Sequence, residues 1–142
     1  MTQLHPAVLE QAGLLGALEE LTRTTAARSG LAVGLAAPGW DASWRSPVDD
    51  LLYSAARELL FNVSKHARAI SAQVDLRRAD DLIRLTVSDN GVGFAQEELT
   101  RRLAEGHIGL ASQRIRVEAA SGQLRIRTGD SGTVAEIEVP AT

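Results

Sequence analysis

Between Leu82 and Asp89 the chain alternates strictly, with Ile83, Leu85 and Val87 at every second position and Arg84, Thr86 and Ser88 between them. A period of two marks a strand with one buried face. The same parity carries the Asp89 side chain onto that face, so a row of core positions ends in a carboxylate. A carboxylate so placed requires a hydrogen-bond donor. Gly91 and Gly93 follow at once, and glycine lets the backbone bend sharply or pass close to a flat ligand. A purine ring with an exocyclic amine meets both demands; a plain turn after a strand is the alternative reading of the same residues.

The most regular helical pattern runs from Pro47 to Arg68. Leu52, Ala55, Ala56, Leu59, Leu60, Val63 and Ala67 form its apolar face, and Pro47, Asp49 and Asp50 suit its first turn. Glu58, Asn62, Lys65 and His66 lie off this stripe, three or four residues apart, and therefore share a second face. A carboxylate, an amide oxygen and a lysine aligned in this way suit a divalent cation and the phosphates it neutralises. An ordinary solvated helix face explains them equally simply.

The remaining elements are read from the same two periods. Leu4 to Arg28 is expected to be an amphipathic helix opened by Pro6, with Val8, Ala12, Leu15 and Leu18 on one stripe, Leu14 and Leu21 widening it for packing on the core or, alternatively, on a partner helix, and His5 as a surface or capping residue at its entrance. Leu31 to Ala37 alternates as a strand, and Pro38-Gly39 breaks it. The stretch to Pro47 holds Trp40 and Trp44, expected to pack as a loop on the core, with a partner surface as the alternative. Ser71 to Arg77 and the run ending at Asp89 are joined by Ala79-Asp80-Asp81, which implies an antiparallel hairpin. A polar segment then leads to Gly106-His107-Ile108-Gly109-Leu110 and a helix with Ala111, Ile115 and Ala119 at four-residue spacing. Glycines at a helix entrance suit phosphate oxygens, or merely a tight turn. A last hairpin, Leu124 to Thr128 and Val134 to Val139, sets Arg125 and Arg127 against Glu136 and Glu138 as a charged outer face.

This order of elements implies an α+β fold, a mostly antiparallel sheet with helices on one face. The chain of 142 residues is long enough for one domain with one core. The absence of cysteine excludes thiol catalysis, disulfides and cysteine-bound metal, and suits a cytoplasmic location. A net charge of -3 with both signs interspersed points away from nucleic acid, and no apolar run is long enough for direct membrane contact by a spanning helix.

Taken together, the boxes resemble those of the superfamily that groups gyrase, Hsp90, histidine kinase and MutL ATPases. Glu58-Leu-Leu-Phe-Asn62-Val-Ser-Lys65-His66-Ala67 resembles its N box, Asp89-Asn-Gly91-Val-Gly93-Phe94 its first glycine box and Gly106-His-Ile-Gly109-Leu110 its second. Gly132-Thr133 resembles the glycine-threonine near the end of the domain. Within the superfamily the chain is most similar to the catalytic, ATP-binding domain of sensor histidine kinases that signal to NarL-type response regulators. Leu4-His5-Pro6 with Leu9, Gly13-Leu14 and Ala17-Leu18 resembles the opening of that domain, and Gly109 to Val117 the helix after its second glycine box. The wording of the boxes is similar to that of mycobacterial oxygen and redox sensor kinases of the dormancy system.

The resemblance implies a Bergerat-type two-layer sandwich over residues 1–142, a single domain excised from a longer sensor kinase. It implies ATP and Mg2+ as cofactors and transfer of the gamma phosphoryl group to a histidine on a separate dimerisation domain, with a NarL-type response regulator as the next partner. Asp89 is then the acceptor of the adenine amine, with Gly91 and Gly93 admitting the ring and Thr133 supporting the pocket. Asn62 is the magnesium ligand, Glu58 the base or polarising carboxylate, and Lys65 and His66 meet phosphate. Gly106, Gly109 and Leu110 border the triphosphate. The chain lacks the phosphoacceptor histidine box of these kinases, so the isolated domain is expected to be a monomer that binds nucleotide without phosphorylating itself. The segment from Ala95 to Glu105 is short for a lid over ATP. An anti-sigma factor serine kinase of the same superfamily and a non-catalytic module that keeps the fold are the alternatives.

Overall fold

The computed structural model describes residues 6–66, 71–91, 108–129 and 132–142. Among these residues the order is α1 (Pro6–Ser29), β1 (Ala32–Ala36), α2 (Asp49–His66), β2 (Ser71–Ala79), β3 (Leu82–Asp89), α3 (Ile108–Ala119), β4 (Gln123–Gly129) and β5 (Gly132–Pro140). The strands form one sheet in the order β1-β2-β3-β5-β4. Only β1 and β2 are parallel, as a strand-helix-strand connection through α2 requires; the other pairs are antiparallel. The α+β reading and the mostly antiparallel sheet are both borne out.

Period-two patterning decides which sheet face is buried. Val74, Leu76, Ile83, Leu85, Ile137 and Val139 are fully enclosed on one face, against Leu52, Ala55, Ala56 and Leu60 of α2 and Leu14, Ala17 and Leu18 of α1. The opposite face carries the intervening polar residues, among them Arg84, Thr86, Arg125, Glu136 and Glu138. On that face Arg125 stands opposite Glu136, but Arg127 stands opposite Val134, so the expected second arginine-glutamate rung does not form. Arg84 of β3 takes that place instead, meeting Glu138 at 2.6 Å and Glu136 at 3.5 Å.

A capping box starts α2. The Ser46 hydroxyl accepts from the Val48 amide at 3.2 Å, and the Asp49 carboxylate accepts from the Ser46 amide at 3.0 Å. The Ser46 hydroxyl also donates to the Ala141 carbonyl, which pins this helix start to the chain end that follows β5.

The face expected of α1 is buried only in part: Leu14 and Leu18 are buried and Leu21 packs on the core, as expected. Ala12 is exposed and Leu15 only half-buried, whereas Leu9, Leu14, Ala17 and Leu18 are buried. The cause is Gly13, which breaks the helix at φ 75 and ψ 179 and resets its phase. The break frees the carbonyls of Glu10 and Gln11 from their partners one turn on. Arg45 takes both, donating from Nε to Glu10 and from Nη2 to Gln11 at 3.0 Å each, while its Nη1 donates to the carbonyls of Ala42 and Trp44 at 2.8 and 2.9 Å. One guanidinium thus ties the kink to the loop that carries the tryptophans. In that loop Trp40 packs on the core, as expected, edge to face with Trp44 at 5.2 Å.

The helical spacing of α3 misleads in a similar way. Ile115 and Ala119 are exposed, and the buried row is Gln113 and Val117. Ile115, 66% exposed, lies on the outer side of the helix.

Gly13 and Gly39 give a matched test of the Arg45 clamp, since both sit at φ +75 but only at Gly13 would a Cβ meet a neighbour, Arg45 Nη1 at 2.6 Å. Gly39→Ala is expected to cost about 1 kcal/mol for the left-handed backbone alone. Gly13→Ala is expected to cost about 1 to 3 kcal/mol more as the guanidinium is displaced from the four carbonyls it holds. Thermal unfolding of the two variants checks this, and equal midpoints would remove the clamp.

Candidate functional site

The topology brings four element ends together. α2 begins beside Ala141, which follows the Pro140 end of β5, and Pro140 pairs with Leu82 at the start of β3. Its 18 residues then run the length of the sheet to His66, close in sequence to Ser71 at the other end. There Ala72 and Thr133 flank Asp89 in register. α3 lies antiparallel to α2: Arg116 near its close reaches Asp50 near the start of α2 at 3.4 Å. Its first turn, with Gly109 and Leu110, therefore lies toward the Asp89 end. The later turns of α2, the end of β3, the start of α3 and the start of β5 share one end of the domain.

At that end Asp89 closes the core-facing row, as the parity implies. Its Oδ1 accepts the Gly91 amide at 2.8 Å. Burial pushes the carboxyl above its ordinary 3.8, and the amides of Gly91 and Thr133 pull it back in part. Among the described residues the charge has amide donors, and no arginine or lysine contributes. Thr133 is buried directly opposite, its hydroxyl 3.0 Å from that of Thr128. Gly132 makes this pairing possible: at φ +131, a Cβ there would stand 1.9 Å from the Asp89 carbonyl oxygen.

Glu58 and Asn62 are half-buried on the later turns of α2, one turn apart, with no hydrogen-bond or ion-pair partner among the described residues. Lys65 and His66 belong to the last turn of α2 by their backbone. Gly91 is buried beside Asp89, while Gly93, Gly106 and the segment Ala95 to Glu105 lie outside the described residues, as does His5. Among the described residues no group of three histidine, cysteine, aspartate or glutamate side chains forms a metal cage. An amide oxygen with one carboxylate nearby fits the modest protein share of a magnesium site that phosphates complete.

Two features were not read from the sequence. Asn90, opposite in parity to Asp89, turns to the open face, where its Oδ1 accepts the Ser71 amide at 3.0 Å and its own amide donates to the Ser71 carbonyl at 3.2 Å. It therefore fixes the start of β2 beside the end of β3; a side chain next to a core-facing carboxylate in a strand must face outward, and that was the available signal. The second is a polar link between α2 and α3. Ser54 Oγ accepts from Gln113 Nε2 at 2.9 Å and from Arg116 Nη1 at 3.1 Å. Ser54 precedes Glu58 by one turn and Gln113 follows Gly109 by one turn, so the link sets the spacing of the two helices next to the site. A cavity of about 530 Å³ borders this end, with Gly34, Ser71, Gln73, Ser88, Asp89 and Asn90 in its lining.

Comparison with known proteins agrees with this geometry. The profile of the histidine kinase-, DNA gyrase B- and HSP90-like ATPases matches residues 48–142. Sensor histidine kinase NarS of Mycobacterium tuberculosis is 44% identical over 138 residues, covering 97% of this chain and 32% of that protein. Sensor histidine kinase MctS of Rhizobium johnstonii is 32% identical over 139 residues, 96% of this chain and 30% of that protein. The chain thus spans about a third of the length of these curated relatives. In fold it is similar to the histidine kinase domain of the blue-light activated kinase from Erythrobacter litoralis EL346, with a TM-score of 0.72, 22% identity and coverage of 95% of this chain and 69% of that one. From the carboxylate at the end of β3 to the matched profile, these observations agree: the chain belongs to the family of histidine kinase-, DNA gyrase B- and HSP90-like ATPases.

Proposed function

We propose that the chain is the catalytic, ATP-binding domain of a two-component sensor histidine kinase, part of a longer protein. The observation that carries this reading is Asp89: a partly desolvated carboxylate with amide donors and, among the described residues, no cation, at the end where Glu58 and Asn62 have no partner among those residues. Such a carboxylate is suited to accept from an uncharged donor that arrives with a ligand, and the adenine amine is that donor. Gly91 and Gly93 admit the ring, and Thr133 supports it from β5.

On the phosphate side, Asn62 holds magnesium, with Lys65 and His66 toward the phosphates and Gly106, Gly109 and Leu110 along the triphosphate. When bound, magnesium neutralises charge on the phosphate oxygens. Glu58 acts as base or polarising group toward the incoming histidine, which comes from a dimerisation domain outside this chain. Rate enhancement of phosphoryl transfer rests on positioning and charge neutralisation. The product is a phosphoramidate on histidine, passed on to a response regulator of the NarL type. No described helix is long and apolar enough to cross a membrane, and the proposed place of work is the cytoplasm.

Titrating ATP into the domain with and without magnesium tests the reading. Asp89→Ala removes a hydrogen bond to a charged group and is expected to weaken ATP about 10- to 100-fold. Asn62→Ala is expected to retain magnesium-free binding while losing most of the gain from magnesium. Supplied with a histidine-bearing dimerisation domain and labelled ATP, the domain is expected to yield acid-labile phosphate; acid-stable phosphate would indicate a serine acceptor.

The same carboxylate makes a prediction about stability. Because the folded domain holds the Asp89 proton above the ordinary 3.8, it binds more protons than the unfolded chain between that value and the raised one. Stability from this group therefore falls as pH rises through that window. Asp89→Asn, which carries no charge to desolvate, is expected to raise the thermal midpoint at neutral pH. Its advantage should disappear below pH 3.8. A variant that is more stable yet binds ATP poorly separates a ligand-binding role from a structural one; a loss of stability at neutral pH would contradict it.

A further inference from the structure

We propose that the open sheet face at the end away from Asp89 is a docking site for an acidic, apolar segment of a partner protein, seated between Arg77 and Arg84. The two arginines stand directly opposite each other on β2 and β3. Like charges at such a position are destabilising unless something neutralises them. Arg84 is neutralised: it donates from Nε and Nη2 to Glu138 at 3.2 and 2.6 Å and lies 3.5 Å from Glu136. Arg78, pointing to the other face, is held over the Trp44 ring at 5.0 Å and by the Asp80 carbonyl at 3.3 Å. Arg77 is exposed and has no hydrogen-bond or ion-pair partner among the described residues.

The floor between these charges is apolar. A cavity of about 300 Å³ is lined by Pro38, Ala79 and Leu82 with Arg77, Arg78, Arg84 and Glu138 around it. Leu82 is 40% exposed, one of the few large apolar side chains left in water among the described residues. A carboxylate for Arg77 next to an aliphatic side chain for Leu82 and Pro38 is the complement of this surface, which is the composition of an acidic-apolar peptide segment. A phosphate-rich membrane or nucleic acid fits less well, since one unpaired arginine is a small footprint on a chain of net charge -3. The site lies at the far end of β3 from Asp89, so its occupant leaves the nucleotide end free.

The probe is the peptide acetyl-Asp-Glu-Leu-Glu-Asp-amide, with acetyl-Asn-Gln-Leu-Gln-Asn-amide as the uncharged control. Binding is followed by backbone amide shifts of Ala79 and Leu82 and by the fluorescence of Trp44, which Arg78 couples to the cavity wall. The acidic peptide is expected to shift these signals, less so at high salt, and the control to leave them unchanged. Arg77→Glu is expected to weaken the peptide at least about tenfold. That variant also replaces a like-charge rung by an opposite-charge one, so its thermal midpoint is expected to hold or rise, and misfolding cannot account for the loss. Its affinity for ATP is expected to match the parent. Equal binding of both peptides, no shift at Ala79 and Leu82, or binding only to vesicles of phosphatidylserine and phosphatidylcholine would each overturn the proposal.

Discussion

The pairing of Asp89 with Thr133 across β3 and β5 is the constraint on which the rest of the molecule depends. It exists because Gly132 lets β5 begin directly against the last peptide of β3, where any side chain would overlap the Asp89 carbonyl oxygen. The register so fixed points one carboxylate and one buried hydroxyl toward the helix layer. The carboxylate is partly desolvated, and among the described residues its donors are amides. A group in that condition costs the apo fold stability, and a ligand that supplies a donor offsets the cost.

The two ends of the sheet differ in how their polar groups are satisfied. At the Leu82 and Pro140 end, Ser46, Asp49 and Ala141 close a capping box onto the chain terminus, and Arg84 is shared by two glutamates. Beside it, Arg45 gathers four carbonyls released by the Gly13 kink and the following loop. At the Asp89 end, Glu58 and Asn62 have no partner among the described residues. α2 thus joins an end whose polar groups are paired to one where Glu58 and Asn62 have no partner among the described residues. The Ser54 link to Gln113 and Arg116 keeps α3 in step with α2, so the glycine-containing first turn of α3 is positioned from the paired part of the domain.

Much of this was legible because two periods separate cleanly. The parity of Leu82 to Asp89 gave the buried face, the inward carboxylate and, with Ala79-Asp80-Asp81, the hairpin; Asp80 does adopt a left-handed φ of 56. The α2 face was equally plain, since seven apolar positions recur at helical spacing without a break. The failures share one cause, which is that spacing assumes a straight element and a known partner. Gly13 shifts the phase of α1, and nothing local announces that an arginine 32 residues away will hold the break, Gly13 and Arg45 being joined only through the fold. In α3, Ala111, Ile115 and Ala119 have the right interval on the wrong side, because Gln113 hydrogen-bonds Ser54 and brings its own row, with Val117, inward. Register also lies beyond composition: Arg127 and Arg84 alternate alike, yet only Arg84 meets both glutamates. Of the site, Asp89, Gly91 and Thr133 are brought together, and Glu58 and Asn62 share the same end, because each closes or follows an element whose type was clear.

Recognition of the adenine amine by Asp89 is tested most directly by comparing ATP with the triphosphate of purine riboside, which lacks that amine, on the parent domain and on Asp89→Asn, by calorimetric titration. If the carboxylate accepts from the amine, the parent binds ATP at least about tenfold more tightly than the analogue, and the asparagine variant loses most of that preference. Equal affinity of the parent for both nucleotides would show that Asp89 does not read the base.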